Sequence, residues 1–250
     1  NHVYLTIDET IQSICEKYMQ KGVEDNNVLN KGVCIAMDVN TGAILAMVTT
    51  DGYDLNNPYE LSAKDKKKIK STAKKKQAEA ESAALSNMWR NKAVADTYMP
   101  GSVFKMCVAS AALEENLVNE KTSFTCTGSI QVEGETIHCS NTAGHGTQSF
   151  VDAISNSCNP AFVQIGQMLG ASKFRQYYQG FGFSDKTGID LPGEAEDSFW
   201  KEGKMGGVDL AVASFGQNFK ITPIQMITAC AAVSNGGYVV QPYVVSKITD

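Results

Sequence analysis

The chain has 250 residues, of which 43% are hydrophobic, and this length and composition suit one large α/β domain. Its net charge of −5 argues against a nucleic-acid-binding protein, because phosphate binding requires clustered excess positive charge. No apolar run reaches the roughly 18 to 20 residues that cross a bilayer, and the first residues do not form a signal peptide.

The N-terminal part of the sequence predicts a helix followed by a β-hairpin. Apolar residues recur at helical spacing within 8–19, which predicts an amphipathic helix that lies on a sheet; they are Ile11, Ile14, Cys15 and Met19. Two apolar runs follow at 32–37 and 43–48. The residues between them, 38–42, are rich in types that tolerate positive φ, and this is typical of a hairpin turn.

Residues 61–87 differ in composition from the rest of the chain, because they are rich in lysine and alanine. Eight lysines lie between positions 64 and 76, and glutamates follow at 79 and 81. This pattern predicts a solvated helical insertion. The alternative is a segment that contacts an anionic membrane or wall polymer.

A serine and a lysine three residues apart form the first candidate catalytic pair. Ser102 follows Pro100-Gly101 at the predicted start of a buried helix, and one helical turn places Lys105 on the same face. Serine is a weak nucleophile and needs an adjacent base, which a neutral lysine supplies. The N–H groups of a helix N-terminus also favour developing negative charge. The structural alternative is a helix-capping serine with a surface lysine.

The second candidate motif, Ser157-Cys158-Asn159-Pro160, lies 55 residues after Ser102, at the end of a helical stretch. The helices predicted in this part of the chain are 150–170 and 172–180. Ser157 and Asn159 are expected on one side of a short loop. The serine would relay a proton, and the asparagine amide would hold a substrate carbonyl. An Asx-type loop before proline is the alternative interpretation.

A glycine-rich region between these motifs contains a candidate metal site. Cys126, Cys139 and His145 offer two thiolates and an imidazole for tetrahedral zinc, with Asp152 as the predicted fourth ligand. His138 is a weaker candidate than Cys139, because adjacent side chains on a strand point in opposite directions. A Cys126–Cys139 disulfide and unpaired loop residues remain open. A bound zinc ion would be structural and would brace the loop that leads to Ser157.

The order of these motifs resembles the transpeptidase domain of class B penicillin-binding proteins, of the elongation, division or spore-cortex type. Beside the two motifs around Ser102 and Ser157, the resemblance rests on segments that extend along nearly the whole chain. They are Leu5-Thr6-Ile7-Asp8, the hairpin 36–47, Thr187-Gly188-Ile189-Asp190-Leu191-Pro192-Gly193-Glu194, Ser214-Phe215-Gly216-Gln217, Thr222-Pro223-Ile224-Gln225-Met226 and Asn235-Gly236-Gly237.

The resemblance implies a β-lactamase/transpeptidase-like α/β fold over residues 1–250, in which helices flank a mainly antiparallel sheet. It implies a D-Ala-D-Ala transpeptidase that needs no cofactor for catalysis, acts on peptidoglycan stem peptides and is inhibited by β-lactams. Ser102, Lys105, Ser157 and Asn159 are its expected catalytic residues. The alternatives are a β-lactam sensor and a non-catalytic division scaffold. Expected partners are glycosyltransferases and other membrane proteins of division or elongation, at the extracytoplasmic face of the membrane.

The third motif of the family, Lys-(Ser/Thr)-Gly, is expected beyond Asp250, together with the C-terminal strands of the fold. Lys186-Thr187-Gly188 matches this motif in sequence, but it directly precedes Ile189, in a segment that forms a structural turn in the family. We therefore predict that this tripeptide has no catalytic role. The resemblance also implies a membrane anchor before Asn1.

Overall fold

The computed structural model describes residues 1–28, 32–50, 52–196 and 198–250. Helices predominate in this part of the chain. They are α1 (Glu9–Asp25), α2 (Ala63–Lys70), α3 (Gln77–Trp89), α4 (Lys92–Ala95), α5 (Lys105–Glu114), α6 (Phe150–Ser155), α7 (Asn159–Gly180), α8 (Gly207–Ala213) and α9 (Pro223–Ser234). Among the described helices, none has the length and apolar character that crossing a membrane requires.

The strands are short, and every strand pair in the described residues is antiparallel, as predicted. The strands are β1 (His2–Leu5), β2 (Val33–Met37), β3 (Ile44–Thr49), β4 (Ser123–Cys126), β5 (Ser129–Val132), β6 (Glu135–His138), β7 (Gly146–Ser149) and β8 (Val245–Thr249). They form the pairs β1–β8, β2–β3, β4–β7 and β5–β6. The β1–β8 and β2–β3 pairs are connected by backbone hydrogen bonds from the Thr6 N–H to the Val244 carbonyl and from the Ile44 N–H to the Tyr243 carbonyl.

Helix α1 lies against β3, as predicted, but Ile14 of the predicted apolar stripe is exposed. Asp8 caps the helix by accepting a hydrogen bond from the Ile11 N–H at 2.9 Å. The Gln12 side chain fixes the helix on the strand, because it accepts from the Met47 N–H at 2.9 Å and donates to the Met47 carbonyl at 3.3 Å. The helix continues to Asp25, six residues beyond the predicted end, and Lys21 pairs with Asp25 one turn away.

The main core lies between α5, α7 and α9. An aromatic cluster fills it, and Phe104 packs edge-on against Phe219 with ring centroids 4.8 Å apart. Tyr178 and Phe183 lie in the same cluster, and both are fully buried. Phe104 is next to Lys105 in the chain, so burial of this ring fixes the start of α5. Burying such a side chain stabilises the fold by about 2 kcal/mol.

The stretch 150–170, predicted as one helix, is two helices separated by a turn. Helix α6 ends at Ser155 and α7 begins at Asn159. Pro160 lies in the first turn of α7, where its missing N–H costs no hydrogen bond, so the chain restarts a helix there. Gly170 interrupts α7 with a φ of +74°, which matches the predicted boundary before 172.

The last helix, α9, is capped at both of its ends. Thr222 and Gln225 form a reciprocal capping box, with Pro223 in the first turn. Asn235 ends the helix, and its side chain accepts from the Tyr238 N–H at 2.9 Å. The lysine-rich segment is also helical, as predicted, and α2 and α3 bury no residue.

Candidate active site

Ser102 lies in a short 3₁₀ turn, Gly101–Phe104, that leads into α5. The α-helix therefore begins at Lys105, three residues later than the sequence predicted. Side chains three residues apart align along a 3₁₀ turn, so Ser102 and Lys105 still share one face. Their environments differ, because Ser102 is exposed and Lys105 is only 4% exposed.

A contact between two glycines holds this turn in place. The Gly101 N–H donates to the Gly216 carbonyl at 2.9 Å. Gly216 has a φ of +80°, and a Cβ there would lie 2.0 Å from the Gly101 carbonyl oxygen. The sequence contained this segment as Ser214-Phe215-Gly216-Gln217, but sequence reasoning assigned it no function. Its position indicates that it supports the turn that carries Ser102.

The Lys105 ammonium group is hydrogen-bonded to the second motif. Its Nζ donates to the Ser157 carbonyl at 2.6 Å, to Ser157 Oγ at 2.9 Å and to Asn159 Oδ1 at 2.8 Å. An ammonium group has three donors, so these acceptors use all of them. The nitrogen also lies 5.4 Å from the centre of the Phe162 ring. Lys105, Ser157 and Asn159 thus meet at one point, although 52 residues separate Lys105 from Ser157.

Burial lowers the pKa of Lys105 to about 8, while the nearby thiols of Cys158 and Cys139 act in the opposite direction. About a tenth of a group with this pKa is neutral at pH 7, whereas a solvated lysine is almost entirely charged. Loss of one proton leaves two N–H donors and one lone pair. The neutral amine can then accept a proton from a neighbouring hydroxyl.

The backbone of the second motif has an unusual conformation. Ser157 has a φ of +49°, a left-handed conformation that residues other than glycine rarely adopt. Such local strain persists where surrounding contacts enforce it, and it is common at functional sites. Here the Ser157 N–H bonds the Ile154 carbonyl, and the Asn159 amide donates to the His138 carbonyl at 3.1 Å. These bonds hold both side chains towards Lys105.

The tripeptide at 186–188 lies in a loop, outside the helices and strands of the described residues. Thr187 donates through its hydroxyl and its N–H to Glu194 Oε1, each at 2.7 Å. Asp190 accepts from the N–H groups of Val244 and Val245 at 2.8 Å. The bonds of Thr187 therefore join the two ends of this loop, and those of Asp190 attach the loop to the segment that leads into β8.

Four potential metal ligands converge next to the second motif. The ligand atoms of Cys126, Cys139, His145 and Cys158 all lie within 4.8 Å of one another. Three of the four residues are buried, and all seven cysteines of the chain are free thiols. The disulfide between Cys126 and Cys139 that the sequence left open is therefore not formed in this structure.

The predicted ligand Asp152 is not part of this group, and Cys158 takes its place. The Asp152 carboxylate accepts from the Ser149 hydroxyl at 2.6 Å and from its N–H at 3.2 Å. These bonds complete the capping box at the start of α6, so the carboxylate stays on the surface. Sequence reasoning placed Cys158 only in the Ser-Cys-Asn motif. Thirteen positions separate Cys158 from His145, as they separate Cys139 from Cys126, and this spacing was the available signal.

The geometry of the group fits a tetrahedral zinc ion. Cys139 Sγ lies 3.7 Å from His145 Nδ1. Zn–S and Zn–N bonds of about 2.3 and 2.0 Å at a tetrahedral angle place such ligand atoms roughly 3.6 Å apart. Burial raises the pKa of the Cys139 thiol, but hydrogen bonds from the N–H groups of Asn141 and Asn159 and from the Cys126 and Cys158 thiols together outweigh this effect, so the pKa lies below the usual value. The thiolate is the form that binds metal.

The metal-ligand group and the Lys105 cluster share a stretch of backbone. Cys158 stands between Ser157 and Asn159, and Cys139 follows His138, whose carbonyl holds Asn159. Phe162, on the next turn of α7, faces Lys105. Anything that fixes Cys139 and Cys158 therefore also fixes the acceptors of Lys105.

Residues 32–250 match the family model of the penicillin binding protein transpeptidase domain. Stage V sporulation protein D of Bacillus subtilis is 34% identical over 247 residues, which cover 98% of this chain and 35% of that protein. The peptidoglycan D,D-transpeptidase PbpA of Mycobacterium tuberculosis is 30% identical, with 99% of this chain and 49% of the relative covered. The chain thus spans about a third to a half of these relatives.

Solved structures with a similar fold include penicillin-binding proteins. Penicillin binding protein 3 of Mycobacterium tuberculosis, determined with aztreonam, is similar with a TM-score of 0.79 and 26% identity, over 97% of this chain and 49% of that one. A putative peptidoglycan glycosyltransferase of Atopobium parvulum has a TM-score of 0.80 and 25% identity, over 98% and 52%. With the family model, the fold and the order of the motifs in agreement, the chain belongs to the penicillin-binding protein transpeptidase domain family, in its class B branch.

Proposed function

We propose that this chain carries the catalytic serine of a peptidoglycan D,D-transpeptidase and that Ser102 is its nucleophile. The observation that carries the proposal is the position of Lys105. This buried lysine lies one helical turn after the exposed Ser102, and its Nζ contacts Ser157 and Asn159. The names of the relatives support the reaction class, since several are peptidoglycan D,D-transpeptidases.

In the first step, Ser102 Oγ attacks the carbonyl carbon between the last two D-alanines of a donor stem peptide. Neutral Lys105 takes the hydroxyl proton, and a tetrahedral intermediate forms. Its collapse breaks the bond to the terminal D-alanine. The leaving amine receives the proton from Lys105 through Ser157 Oγ, which lies 2.9 Å from Nζ. An ester on Ser102 and free D-alanine result.

In the second step, an amine of a neighbouring stem peptide attacks the ester carbonyl. Its proton passes through Ser157 to Lys105 and then to Ser102 Oγ as the ester bond breaks. A new peptide bond cross-links the two strands, and the enzyme returns to its starting state. Asn159 would bind a carbonyl of the stem peptide in this scheme, since its amide nitrogen has two N–H donors and the His138 carbonyl takes one of them.

A structural zinc ion at Cys126, Cys139, His145 and Cys158 is the second part of the proposal. The 3.7 Å separation of Cys139 Sγ and His145 Nδ1 supports it, as does the burial of the three thiols. The ion would hold β4, β6 and the start of α7 together. It would take no part in the acyl transfer, for which Ser102 supplies the nucleophile. Its effect on the reaction would come through the positions of Ser157 and Asn159.

The proposal places the site at the extracytoplasmic face of a bacterial membrane, where stem peptides are found. It includes an anchor before Asn1, a Lys-(Ser/Thr)-Gly strand after Asp250, and glycosyltransferase and other membrane-protein partners. These elements follow from the resemblance to class B proteins. β-Lactams would bind as donor mimics and leave a long-lived ester on Ser102.

Two other functions of the same fold are a β-lactam sensor and a scaffold of the division machinery. A sensor would form the Ser102 ester but would not cross-link stem peptides. A scaffold would do neither. The buried and fully hydrogen-bonded Lys105 argues against the scaffold, because burying a lysine only for structure costs stability.

The proposal is tested on the protein with the expected third-motif strand included. Its intact mass is measured before and after reaction with labelled penicillin. We expect one persistent adduct that the Ser102→Ala variant lacks. Loss of the adduct in that variant, with release of D-alanine from a stem peptide by the parent protein, would support the transpeptidase. An adduct without any product from donor and acceptor peptides would indicate the sensor. A folded protein that forms no adduct would reject the catalytic assignment.

A further inference from the structure

The lysine-rich segment has no part in the site described above. We define the basic excursion as residues 59–89, which contain α2, a 3₁₀ turn at Lys74–Lys76 and α3. All eight of its lysines are exposed. Lys66 pairs with Glu60 at 3.1 Å, and the other seven have no ion pair with any described residue.

The charge of the excursion is opposite to that of the remaining chain. The excursion contains eight lysines and four acidic residues, Glu60, Asp65, Glu79 and Glu81, so its net charge is +4 in a chain whose total is −5. All eight lysines lie in 63–76, where the net charge is +7. Within the same sequence, more than a third of the 22 basic residues therefore lie in 14 positions. Such a cluster attracts polyanions over about 8 Å at physiological salt.

The ends of the excursion are held together. Tyr59 and Trp89 form an edge-to-face pair with ring centroids 5.3 Å apart. The Trp89 indole N–H donates to the Pro58 carbonyl at 2.7 Å. Leu61 is buried, which fixes the first residues of the excursion on the body of the domain. The lysines are thus presented by a closed segment, with ends that meet at one place.

Apolar and aromatic side chains are exposed at this closed end and in the residues just before it in the sequence. Leu55 is 80% exposed, Tyr59 is 73% exposed and Trp89 is 40% exposed. The Lys66–Glu60 ion pair places the first turn of α2 next to Tyr59. Exposed aromatic and apolar groups beside a lysine cluster are typical of segments that lie in a membrane interface, where rings enter the headgroup region and lysines meet anionic lipids. A charged polymer in solution would not require them.

We infer that the basic excursion docks on an anionic phospholipid bilayer, with its lysines at the headgroups and Leu55, Tyr59 and Trp89 in the interface. This contact is independent of the acyl transfer, because Ser102, Lys105 and the second motif lie outside the excursion. It would fix the orientation of the domain relative to the membrane surface. Each lysine adds to the binding, and salt weakens it.

Co-sedimentation with vesicles tests the inference on the purified protein. Vesicles with about 30% phosphatidylglycerol should bind it, pure phosphatidylcholine vesicles should not, and about 0.5 M salt should release it. The quadruple variant Lys67→Gln, Lys68→Gln, Lys75→Gln, Lys76→Gln should bind at least about tenfold more weakly. Glutamine has nearly the helix propensity of lysine, so the helices should persist.

A matched control removes four exposed lysines from other parts of the surface. They are Lys121, Lys201, Lys204 and Lys220, each changed to Gln. The inference requires that this control, which has the same net charge as the first variant, keeps most of the vesicle binding. Equal losses in both variants would indicate a nonspecific charge effect and would reject the excursion as the docking site.

A third variant separates a bilayer from an anionic polymer. Leu55→Ser should weaken vesicle binding and leave binding of soluble poly(glycerol phosphate) unchanged. Binding of that polymer with no binding of phosphatidylglycerol vesicles would overturn the inference in favour of a wall polymer. Binding of neither would overturn it outright. Penicillin acylation should be the same in all these variants, so failure here leaves the proposed transpeptidase untouched.

Discussion

The Nζ of Lys105 lies 2.8 Å from Oδ1 of Asn159, although 54 positions separate the two residues. This bond joins the first turn of α5 to the first turn of α7 and connects both sequence motifs in one network. The same lysine is buried and has a pKa of about 8. Its position and its protonation therefore depend on the same neighbours.

Replacing Lys105 by arginine should slow acylation strongly while the fold survives. Arginine keeps the positive charge and the donors, but it does not lose its proton at any accessible pH. We expect the rate constant for penicillin acylation, measured by intact mass over time, to fall by about 10³-fold. Lys173→Arg is the control, since that lysine pairs with Glu115 on the surface, and its rate should equal that of the parent. Unchanged acylation in Lys105→Arg would rule out lysine as the base.

The acylation rate should depend on pH through Lys105. The neutral amine is the active form, and the pKa of about 8 lies below the usual value for lysine. At subsaturating penicillin, the second-order rate constant should rise about tenfold per pH unit below pH 7 and level off above roughly pH 9. A profile that keeps rising through pH 10 would mean that Lys105 is not the titrating base or is solvated during the reaction.

Adding a methyl group to Gly216 should disturb the turn that carries Ser102. The new Cβ would lie 2.0 Å from the Gly101 carbonyl oxygen, so this turn must shift. Displacement of a reacting group by about 1 Å costs up to roughly 10²-fold in rate. We expect Gly216→Ala to slow acylation at least about tenfold and to lower the Tm.

Gly193→Ala is the matched control for this change. Gly193 has a φ of +83°, close to the +80° of Gly216, and no atom within 4 Å of an added Cβ. Both variants therefore carry the same backbone strain, but only one has the steric clash. If Gly193→Ala slowed acylation as much as Gly216→Ala, strain alone would explain the effect, and the contact with Gly101 would be irrelevant to the nucleophile.

Cys158→Ser should remove the proposed zinc ion. The parent protein should contain about one zinc per chain by elemental analysis, and the variant almost none. Because the ion stabilises only the folded chain, the Tm should fall by at least about 5 °C in the variant, and a chelator should have a similar effect on the parent. Cys15→Ser, which removes a thiol outside the group, should retain the metal.

Asp152→Ala separates the ligand set predicted from the sequence from the set found in the structure. Its carboxylate caps α6, so the variant should lose some thermal stability and keep its zinc. Zinc loss in Asp152→Ala together with retention in Cys158→Ser would restore the original prediction and contradict the structural assignment.

Features that depend on neighbours in the chain were predictable from the sequence alone. Ser102 and Lys105 share a face because helical geometry fixes residues three apart. Thr222, Pro223 and Asn235 bound α9 because capping is a local hydrogen-bonding requirement. The antiparallel hairpin of β2 and β3 followed from two apolar runs joined by a turn. The order of the motifs along the chain indicated the family.

The tertiary structure decided which distant groups meet and how far water is excluded from them. Asp152 and Cys158 both lie within 13 residues of His145, and only packing turns the carboxylate outward to cap a helix and brings the thiol inward. The pKa of Lys105 likewise comes from burial against α7, which its sequence neighbours do not encode. A sequence specifies the donors and acceptors that a chain has available, whereas their pairing depends on the packing of segments that are far apart along it.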